Sequence, residues 1–329
     1  MRKILNSKVR VKNPAWLVFL MFFLMGPATW ADQQGGQRPA AYLLYGVGGA
    51  QEAMAGAAIG DRGDVACGFW NPAGLSGLRG TQVETQTTLL SLGQQLHYLG
   101  VAKSFRNSFF CGFSGILYSA GGDLEARMGP SLDPDSFFED MEMTFLGSFA
   151  FRLNPRWSFG GNLKILIHNL KGASGFGIGE DLGVQYRFTK HTTFGFVAQD
   201  PYTVFTYSNN ASEVVPATLK AGLTHHEEAL NLKGNFDLEW SSDLGLRPRL
   251  GLEWRPMEVI ALRGGCWMGG LSSGAPGSLP EVNFTAGLGI LVPMGESMDH
   301  SLEFNYTLLP DRLLPGAVLH QFALTGKFL

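Results

Sequence analysis

The chain has 329 residues, including 44 glycines and 24 phenylalanines, and only 16% of its residues are charged. This composition excludes an intrinsically disordered chain, because disorder goes with high charge and few aromatic residues. The formal net charge of −3 gives no support to nucleic-acid binding, which depends on clustered basic residues. The length allows one large β-domain or two ordinary domains.

Residues 1–31 have the pattern of a signal peptide. Five basic residues precede an apolar run at 15–26 that is too short to span a membrane comfortably. Thr29 and Ala31 supply the small residues expected before a cleavage site. We therefore predict cleavage after Ala31, with an uncleaved anchor helix as the alternative. Cleavage removes five positive charges and no acidic residue, so the net charge falls from −3 to −8.

Three cysteines, Cys67, Cys111 and Cys266, are far apart in the sequence and show no metal-ligand spacing. Cys111 and Cys266 fall at apolar positions of predicted strands, where a cysteine behaves as a small hydrophobic residue. We predict neither a disulfide framework nor a metal site, and the sequence indicates no cofactor.

Alternation with a period of two dominates the chain from Thr81 onward. In residues 230–240, for example, Leu232, Phe236 and Leu238 share one face, whereas Asn235 and Asp237 share the other. About fourteen such segments follow one another, near 81–90, 95–104, 108–118, 140–153, 156–169, 179–189, 192–201, 216–226, 229–241, 247–256, 258–268, 281–293, 299–308 and 318–329. Each is close to the roughly 9–11 residues that a tilted strand needs to cross a bilayer. The pattern predicts an all-β fold, a transmembrane antiparallel β-barrel of about 14 strands over residues 81–329.

The connections between these segments alternate in length. Tight turns are predicted at 154–156, 190–191 and 255–258, and long loops at 120–139, 171–178, 201–215, 269–280 and 309–318. This asymmetry is typical of bacterial outer-membrane barrels, and it predicts that both termini lie in the periplasm. A soluble β-sandwich also alternates. Aromatic residues near strand ends, among them Trp157, Trp240, Trp254 and Tyr306, favour the membrane barrel because they suit interfacial girdles.

The polar face of the predicted strands carries charges of both signs. We expect these side chains to form ion pairs with each other and with a plug in the lumen. The candidates are Lys164, Arg187, Lys233, Asp237, Glu239, Arg249, Glu253 and Glu303. Small residues on the same face indicate either a closely approaching backbone or barrel curvature. They are Gly112, Ser114, Gly160, Gly183, Gly195, Gly287 and Gly289.

Residues 32–80 lack the alternation. The alanine-rich stretch 51–59 favours a short helix. Pro72 pushes Asn71 out of helical geometry, and Gly74 permits a further turn. An ordinary surface turn would show the same residues. We predict instead that 32–80 forms a hatch segment inside the lumen.

At this point the chain resembles a known family. The residues that carry the resemblance are the GxGGA stretch from Gly46, then Asp61 or Asp64, then Trp70-Asn-Pro-Ala-Gly-Leu75. Together they look like the N-terminal part of PorV/PorQ-type and FadL-type outer-membrane proteins, and residues 215–222 (VPATLKAG) are similar to another stretch of the PorV/PorQ-like group. The resemblance implies a fourteen-stranded barrel with a luminal hatch whose motif is Asn71, Pro72, Ala73 and Gly74.

The resemblance also implies two functions. FadL-type members move hydrophobic compounds inward, whereas PorV-type members carry cargo for the type IX secretion machinery. We expect transport of hydrophobic small molecules across the outer membrane. The alternative is a plugged barrel with a structural or secretion-related role that binds partner proteins through its outer loops. Apolar residues of the long loops would begin a transport route or simply pack the loops together, namely Phe137, Phe138, Val204, Phe205, Tyr207 and Leu271.

An enzymatic role has little support in the sequence. His168 falls near the outer end of its strand, with Ser174 beyond it, but no complete set of nucleophile, base and orienting group emerges. His225 and His226 fall at a predicted inner turn and are better explained as solvated residues than as metal ligands. The expected partners are outer-membrane lipid, a hydrophobic small molecule or lipid, and secretion or envelope proteins.

Overall fold

A computed structural model of the chain describes residues 38–105, 108–120, 140–170, 173–209, 211–269, 282–295, 300–312 and 316–329. The predicted signal peptide lies outside these residues, as do the predicted loops 120–139 and 269–280 apart from Ala120 and Gly269, and with them Phe137, Phe138 and Leu271. The strands are β1 (Thr81–Leu89), β2 (Gln95–Phe105), β3 (Phe109–Ala120), β4 (Asp140–Arg152), β5 (Trp157–Leu170), β6 (Ala173–Arg187), β7 (Thr192–Gln199), β8 (Val204–Tyr207), β9 (Ser212–Val214), β10 (Thr218–Glu227), β11 (Leu232–Ser241), β12 (Gly245–Met257), β13 (Ile260–Met268), β14 (Val282–Pro293), β15 (His300–Pro310) and β16 (Val318–Phe328).

Fourteen of these strands form a closed antiparallel barrel. Each strand from β1 to β7 and from β10 to β16 pairs with two neighbours, and two pairings complete the ring, β1 with β16 and β7 with β10. The predicted fourteen-stranded barrel is therefore confirmed. Among the described residues, no helix is long and apolar enough to cross a membrane.

The two ends of the barrel differ. We call the end that carries the turns 153–156, 188–191 and 228–231 and the C-terminal Leu329 the turn end, and the opposite end the loop end. The outward face of the wall is apolar, since side chains such as Leu163, Phe284 and Phe304 are exposed. The inward face carries the polar residues of each strand in buried positions, as the alternation predicts.

The structure corrects two of the predicted loops, 171–178 and 201–215. Strand β6 begins at Ala173, so β5 and β6 extend together at the loop end, and β8 and β9 form a hairpin paired with this extension of β6. The glycines that suggested a loop have another use. A Cβ at Gly175 or Gly177 would collide with the ring of Phe205, and a Cβ at Gly179 would collide with Thr203.

Residues 38–80 form no strand. They contain a 3-10 helix at Ala41–Tyr45, short α-helices at Gly49–Ala53 and Cys67–Trp70, and a second 3-10 helix at Pro72–Gly77. Short 3-10 helices also occur at Ser91–Gly93 and Glu228–Leu230, the latter replacing the start of a predicted strand. The three cysteines are free, and Cys67 is buried.

Candidate functional site in the barrel lumen

The N-terminal segment, residues 38–80, runs through the ring of strands from one end to the other. At the loop end, Arg38 forms an ion pair with Asp243 in the β11–β12 turn (Nη1–Oδ2 2.6 Å). At the turn end, the carbonyl of Gly80 accepts a hydrogen bond from the amide of Ser104 at 2.9 Å. Between these points the segment is almost entirely buried and contacts inward-facing side chains around the ring.

The four residues of the predicted hatch motif lie together against β5, β6 and β7. Asn71 is fully buried, and its Nδ2 donates to the carbonyl of Ile59 at 2.9 Å and to that of Val184 at 3.3 Å. Its Oδ1 accepts from the amide of Ala73 at 3.2 Å and so caps the 3-10 helix that Pro72 begins. One amide side chain thereby links the motif, the preceding turn and the barrel wall.

Inward-facing glycines of the wall make room for this segment. A Cβ at Gly160 would collide with the backbone of Pro72 and Ala73, one at Gly183 with the side chain of Asn71, and one at Gly195 with the carbonyl of Ile59. Gly287 lies against Ala53 in the same way. At these positions the glycine allows the N-terminal segment to approach the wall closely, which is the first of the two interpretations given for the small inward-facing residues. Gly112 and Gly289 instead have wall atoms as their nearest neighbours.

The close approach between the wall glycines and the N-terminal segment can be tested directly. Gly160→Ala places a methyl group 2.8 Å from Ala73 Cα, so we expect the segment to shift and the barrel to lose about 1–3 kcal/mol of stability. The measurement is the urea midpoint, together with protease cleavage of residues 38–80 in the folded barrel. Gly147→Ala on the outward face of β4 is the matched control, since its Cβ would meet no atom closer than 4.0 Å. If the two variants have the same urea midpoint and the same rate of protease cleavage, the close contact between Gly160 and the segment is contradicted.

Backbone groups near the helix Gly49–Ala53 are satisfied by the wall. Gln86 accepts from the amide of Gly48 at 2.6 Å, and Glu84 accepts from the amide of Gly49 at 3.0 Å. On the other side, Thr307 donates to the carbonyl of Gly49 at 3.0 Å. A buried backbone group without a partner is costly, so these contacts define one preferred position for the helix.

Two of the predicted ion-pair candidates, Glu239 and Glu253, belong to separate networks. Glu239 accepts from Arg249 at 2.8 Å, lies 3.6 Å from Lys220 and contacts Arg247. Glu253 belongs to the second network, which also contains Arg255, Arg263 and Glu303; Arg263 lies 2.6 Å from both carboxylates.

The other candidates have varied partners. Lys164 lies 2.7 Å from Asp181 and also contacts Asp200. Lys233 reaches the N-terminal segment and pairs with Asp61 at 3.2 Å. Asp237 serves a different purpose from the one predicted, because its Oδ2 accepts from the amides of Ala58 and Ile59 at 2.7 and 3.0 Å. Arg187 takes part in none of the ion pairs formed within the described residues.

The sequence reasoning missed the pair between Glu52 and Arg312. Glu52 lies in the helix Gly49–Ala53, and its Oε2 is 2.7 Å from Nη2 of Arg312, which follows β15 at the loop end. Burial raises the pKa of Glu52, and the positive charge of Arg312 opposes that rise. No local signal could reveal the pair, because the two residues are distant in sequence and meet only when the barrel closes.

A loop-end apolar cluster was also missed, apart from its member Phe205. It joins the N-terminal segment to inward-facing residues of the wall and consists mainly of Tyr42, Tyr45, Val47, Phe69, Trp70, Leu96, Tyr98, Ile116, Tyr118, Leu146, Leu166, Phe205, Val215, Leu309 and Leu319. Burial raises the pKa of Tyr42 and of Tyr45, so both phenols remain neutral. The signal was a break in the alternation, for example at Leu166, which interrupts the polar face of β5.

The space around the N-terminal segment is uneven. The cavity beside the apolar cluster measures about 40 Å³, enough for only a few water molecules. Two larger cavities lie nearer the turn end, one of about 720 Å³ and one of about 210 Å³. Among these three cavities, the one beside the apolar cluster is therefore the smallest.

His168 lies beside two carboxylates at the loop end. Its Nε2 is hydrogen-bonded to Oδ1 of Asp140 at 2.7 Å, and ligand atoms of Asp140, Glu142 and His168 all lie within 4.8 Å of one another. These are the residues of the described chain that could approach a cation together. Ser174, considered with His168 in the sequence, is exposed, and its amide lies 3.4 Å from the hydroxyl of Ser208.

No protein-family model and no curated protein matches the chain. Solved structures do match its fold. The CymD monoaromatic hydrocarbon channel has a TM-score of 0.61 and 15% identity, covering 86% of this chain and 97% of that one. The Ralstonia pickettii toluene transporter TbuX has a TM-score of 0.59 and 14% identity, covering 88% and 100%. A Pseudomonas aeruginosa FadL homologue has a TM-score of 0.59 and 12% identity, covering 85% and 97%.

At these identities the likeness establishes a shared fold. The chain has the architecture of FadL-type barrels, so the FadL part of the resemblance is supported. The likeness to the PorV/PorQ group stays a prediction.

Proposed function

We propose that this chain is an outer-membrane channel for small hydrophobic molecules, with residues 38–80 as its hatch. The observation that carries the proposal is the loop-end apolar cluster. The inward face of a water-filled barrel is polar, whereas here Leu96, Ile116, Leu146 and Leu166 face inward and belong to the same buried cluster as Trp70 of the segment. A hydrophobic molecule needs such a lining, and an ion or sugar does not.

The fold supports the same proposal. Two of the similar structures are described as a hydrocarbon channel and a toluene transporter. By analogy, the turn end faces the periplasm and carries the C-terminus. Arg38, the first described residue, lies at the opposite end beside Asp243, and the periplasmic position of the mature N-terminus stays a prediction.

The proposed channel is closed in this structure. A cavity of about 40 Å³ beside the apolar cluster has no room for an aromatic hydrocarbon. Passage then requires movement of the segment, and the hydrogen bonds of Asn71 and the contact between Glu52 and Arg312 would break or rearrange. Such gating by a mobile segment is common among proteins that control access to a lumen.

Uptake tests the proposal. Cells of a Gram-negative host expressing the protein are expected to take up radiolabelled toluene several-fold faster than cells with an empty vector, with no change in uptake of a hydrophilic sugar. Heat-modifiable migration on gels confirms that the barrel is assembled. Equal toluene uptake with and without an assembled barrel would contradict transport of monoaromatic hydrocarbons.

The alternative is a plugged platform with a structural or secretion-related role. It is favoured by the number of buried contacts that hold the segment, including the ion pair from Lys233 to Asp61. In that case envelope proteins co-purify through the loop end, and uptake is unaffected. Neither proposal includes a catalytic step.

A further inference from the structure

The larger turn-end cavity, which we call the basic vestibule, is lined by positive charge. Its basic residues are Arg62, Arg79, Arg152, Arg187 and Lys190, joined by His191 and His226, and no aspartate or glutamate is among the described residues that line it. The cavity measures about 720 Å³ and is open at the turn end. This volume lies in the range of sites that bind small molecules.

The basic residues of this vestibule differ in their ion pairing from the basic residues elsewhere in the lumen. Lys164, Lys233, Arg249 and Arg263 each lie within 3.2 Å of a carboxylate. In contrast, no ion pair within the described residues involves Arg62, Arg152 or Arg187. Lys190 pairs only with the exposed Glu228, at 3.3 Å on the rim.

The guanidinium groups of the vestibule act on each other. Burial, and then the positive charges of Arg187 and Arg152, lower the pKa of Arg62 to about 10. Arg62 donates to the hydroxyl of Ser76 at 2.9 Å, while Arg152 donates to the carbonyl of Ser76 and lies over the ring of Phe110. The Nε of Arg152 is buried and has no hydrogen-bond partner. A bound anion would reduce the repulsion between these guanidinium groups and would accept a hydrogen bond from the Nε of Arg152.

We propose that the basic vestibule binds a phosphate group. Arg62, Arg152 and Arg187 come from three different parts of the chain and bring more charge than one carboxylate balances. A phosphate group carries up to two negative charges as a monoester and one as the diester of a phospholipid headgroup, and arginine binds its oxygens through two parallel hydrogen bonds. Leu78 and Phe110 form an apolar part of the lining, which would contact the rest of a ligand that carries the phosphate group. The source is either a free organic phosphate or a phospholipid headgroup.

Binding to the purified, full-length protein in nonionic detergent tests this site. The probes are radiolabelled inorganic phosphate and, in a separate arm, mixed micelles that contain phosphatidylglycerol. We expect saturable binding that Arg62→Gln with Arg187→Gln weakens by about tenfold or more, since each substitution removes a charge-assisted contact. Lys103→Gln is the matched control, because Lys103 is exposed on the outward face of β2 near the same end.

Residue-dependent binding of phosphate supports a free anion as the ligand, and residue-dependent binding of phosphatidylglycerol alone supports a headgroup. The site is overturned if neither probe binds saturably, or if Lys103→Gln weakens binding as much as the double substitution. If the double variant does not assemble, the single Arg187→Gln change carries the same expectation. The measurement involves no uptake, so its failure leaves the transport proposal standing.

Discussion

Oxidation is expected to lower the rate of toluene uptake by a Gly68→Cys/Ser148→Cys variant about tenfold or more, and reduction is expected to restore it. Gly68 lies in the helix Cys67–Trp70 of the N-terminal segment, and Ser148 faces inward from β4. A Cβ at Gly68 would be 3.6 Å from the Cβ of Ser148, within the usual spacing of about 3.5–4.5 Å for a disulfide. The bond would tie the segment to the wall without displacing it.

The size of the effect follows from the closed state of the lumen. If uptake depends on movement of the segment, a covalent tie beside the apolar cluster should reduce the uptake rate by about tenfold or more. The experiment compares initial rates before and after treatment with a reductant, in cells with equal amounts of assembled barrel. Gel mobility under non-reducing conditions gives the fraction of the protein that is cross-linked.

Native cysteines set the controls for this experiment. Cys67 adjoins Gly68 and is buried, with its Sγ 3.5 Å from the carbonyl of Asp61. The double variant is therefore made in a Cys67→Ala background, and each single cysteine variant in that background serves as a matched control. If the fully cross-linked barrel still transports toluene at the rate of the reduced barrel, this part of the segment does not move during transport. The plugged platform would then be the better explanation of how the segment is held.

The strands were predictable because their chemistry is local. A strand that separates an apolar exterior from a polar interior must alternate, so the sequence alone places most strand ends within about two residues of those observed, as for β14 and β15. The number of strands in the closed barrel was predictable from the number of alternating segments in the sequence. The failure at 171–178 arose because glycines read as loop residues are in fact positions where β6 accepts Phe205 and Thr203. The failure at 201–215 is linked to it, because the hairpin of β8 and β9 pairs with the same part of β6.

The contents of the lumen were harder to predict. The sequence showed that charges of both signs face inward, but the partner of each charge depends on which strands become neighbours and at what register. Glu239 and Arg249 lie on adjacent paired strands, so a hairpin argument could have joined them. Arg187 and Arg62 belong to distant parts of the chain. Nothing local distinguishes an arginine that meets a carboxylate from one that faces a cavity.

Loss of the Glu239 charge is expected to be among the most damaging single changes in the wall. Glu239 is 2% exposed and is shared by Arg249, Arg247 and Lys220. Glu239→Gln leaves these cations buried without that carboxylate, and breaking a buried pair in this way costs about 3–5 kcal/mol. Lower thermal stability of the folded form on semi-native gels, and a lower urea midpoint, measure the loss.

The damage should extend to the N-terminal segment. Arg249 also donates to the carbonyl of Ala55 at 2.8 Å, and the ammonium of Lys220 lies 5.2 Å from the ring centre of Trp70. Without Glu239 these cations repel one another, so the contacts on Ala55 and Trp70 weaken as well. We therefore expect protease to cleave residues 38–80 faster in Glu239→Gln than in the wild-type barrel.

Glu228→Gln provides the matched control, because Glu228 pairs with Lys190 at the exposed rim and such pairs contribute little to stability. Adding Lys220→Gln to Glu239→Gln should recover part of the loss, since it removes one of the uncompensated cations. Equal stability of the Glu239 and Glu228 variants would show that water reaches the network and screens it. A destabilised Glu239 variant with no recovery on adding Lys220→Gln would place the cost in the lost hydrogen bonds of Arg247 and Arg249 instead of in charge repulsion.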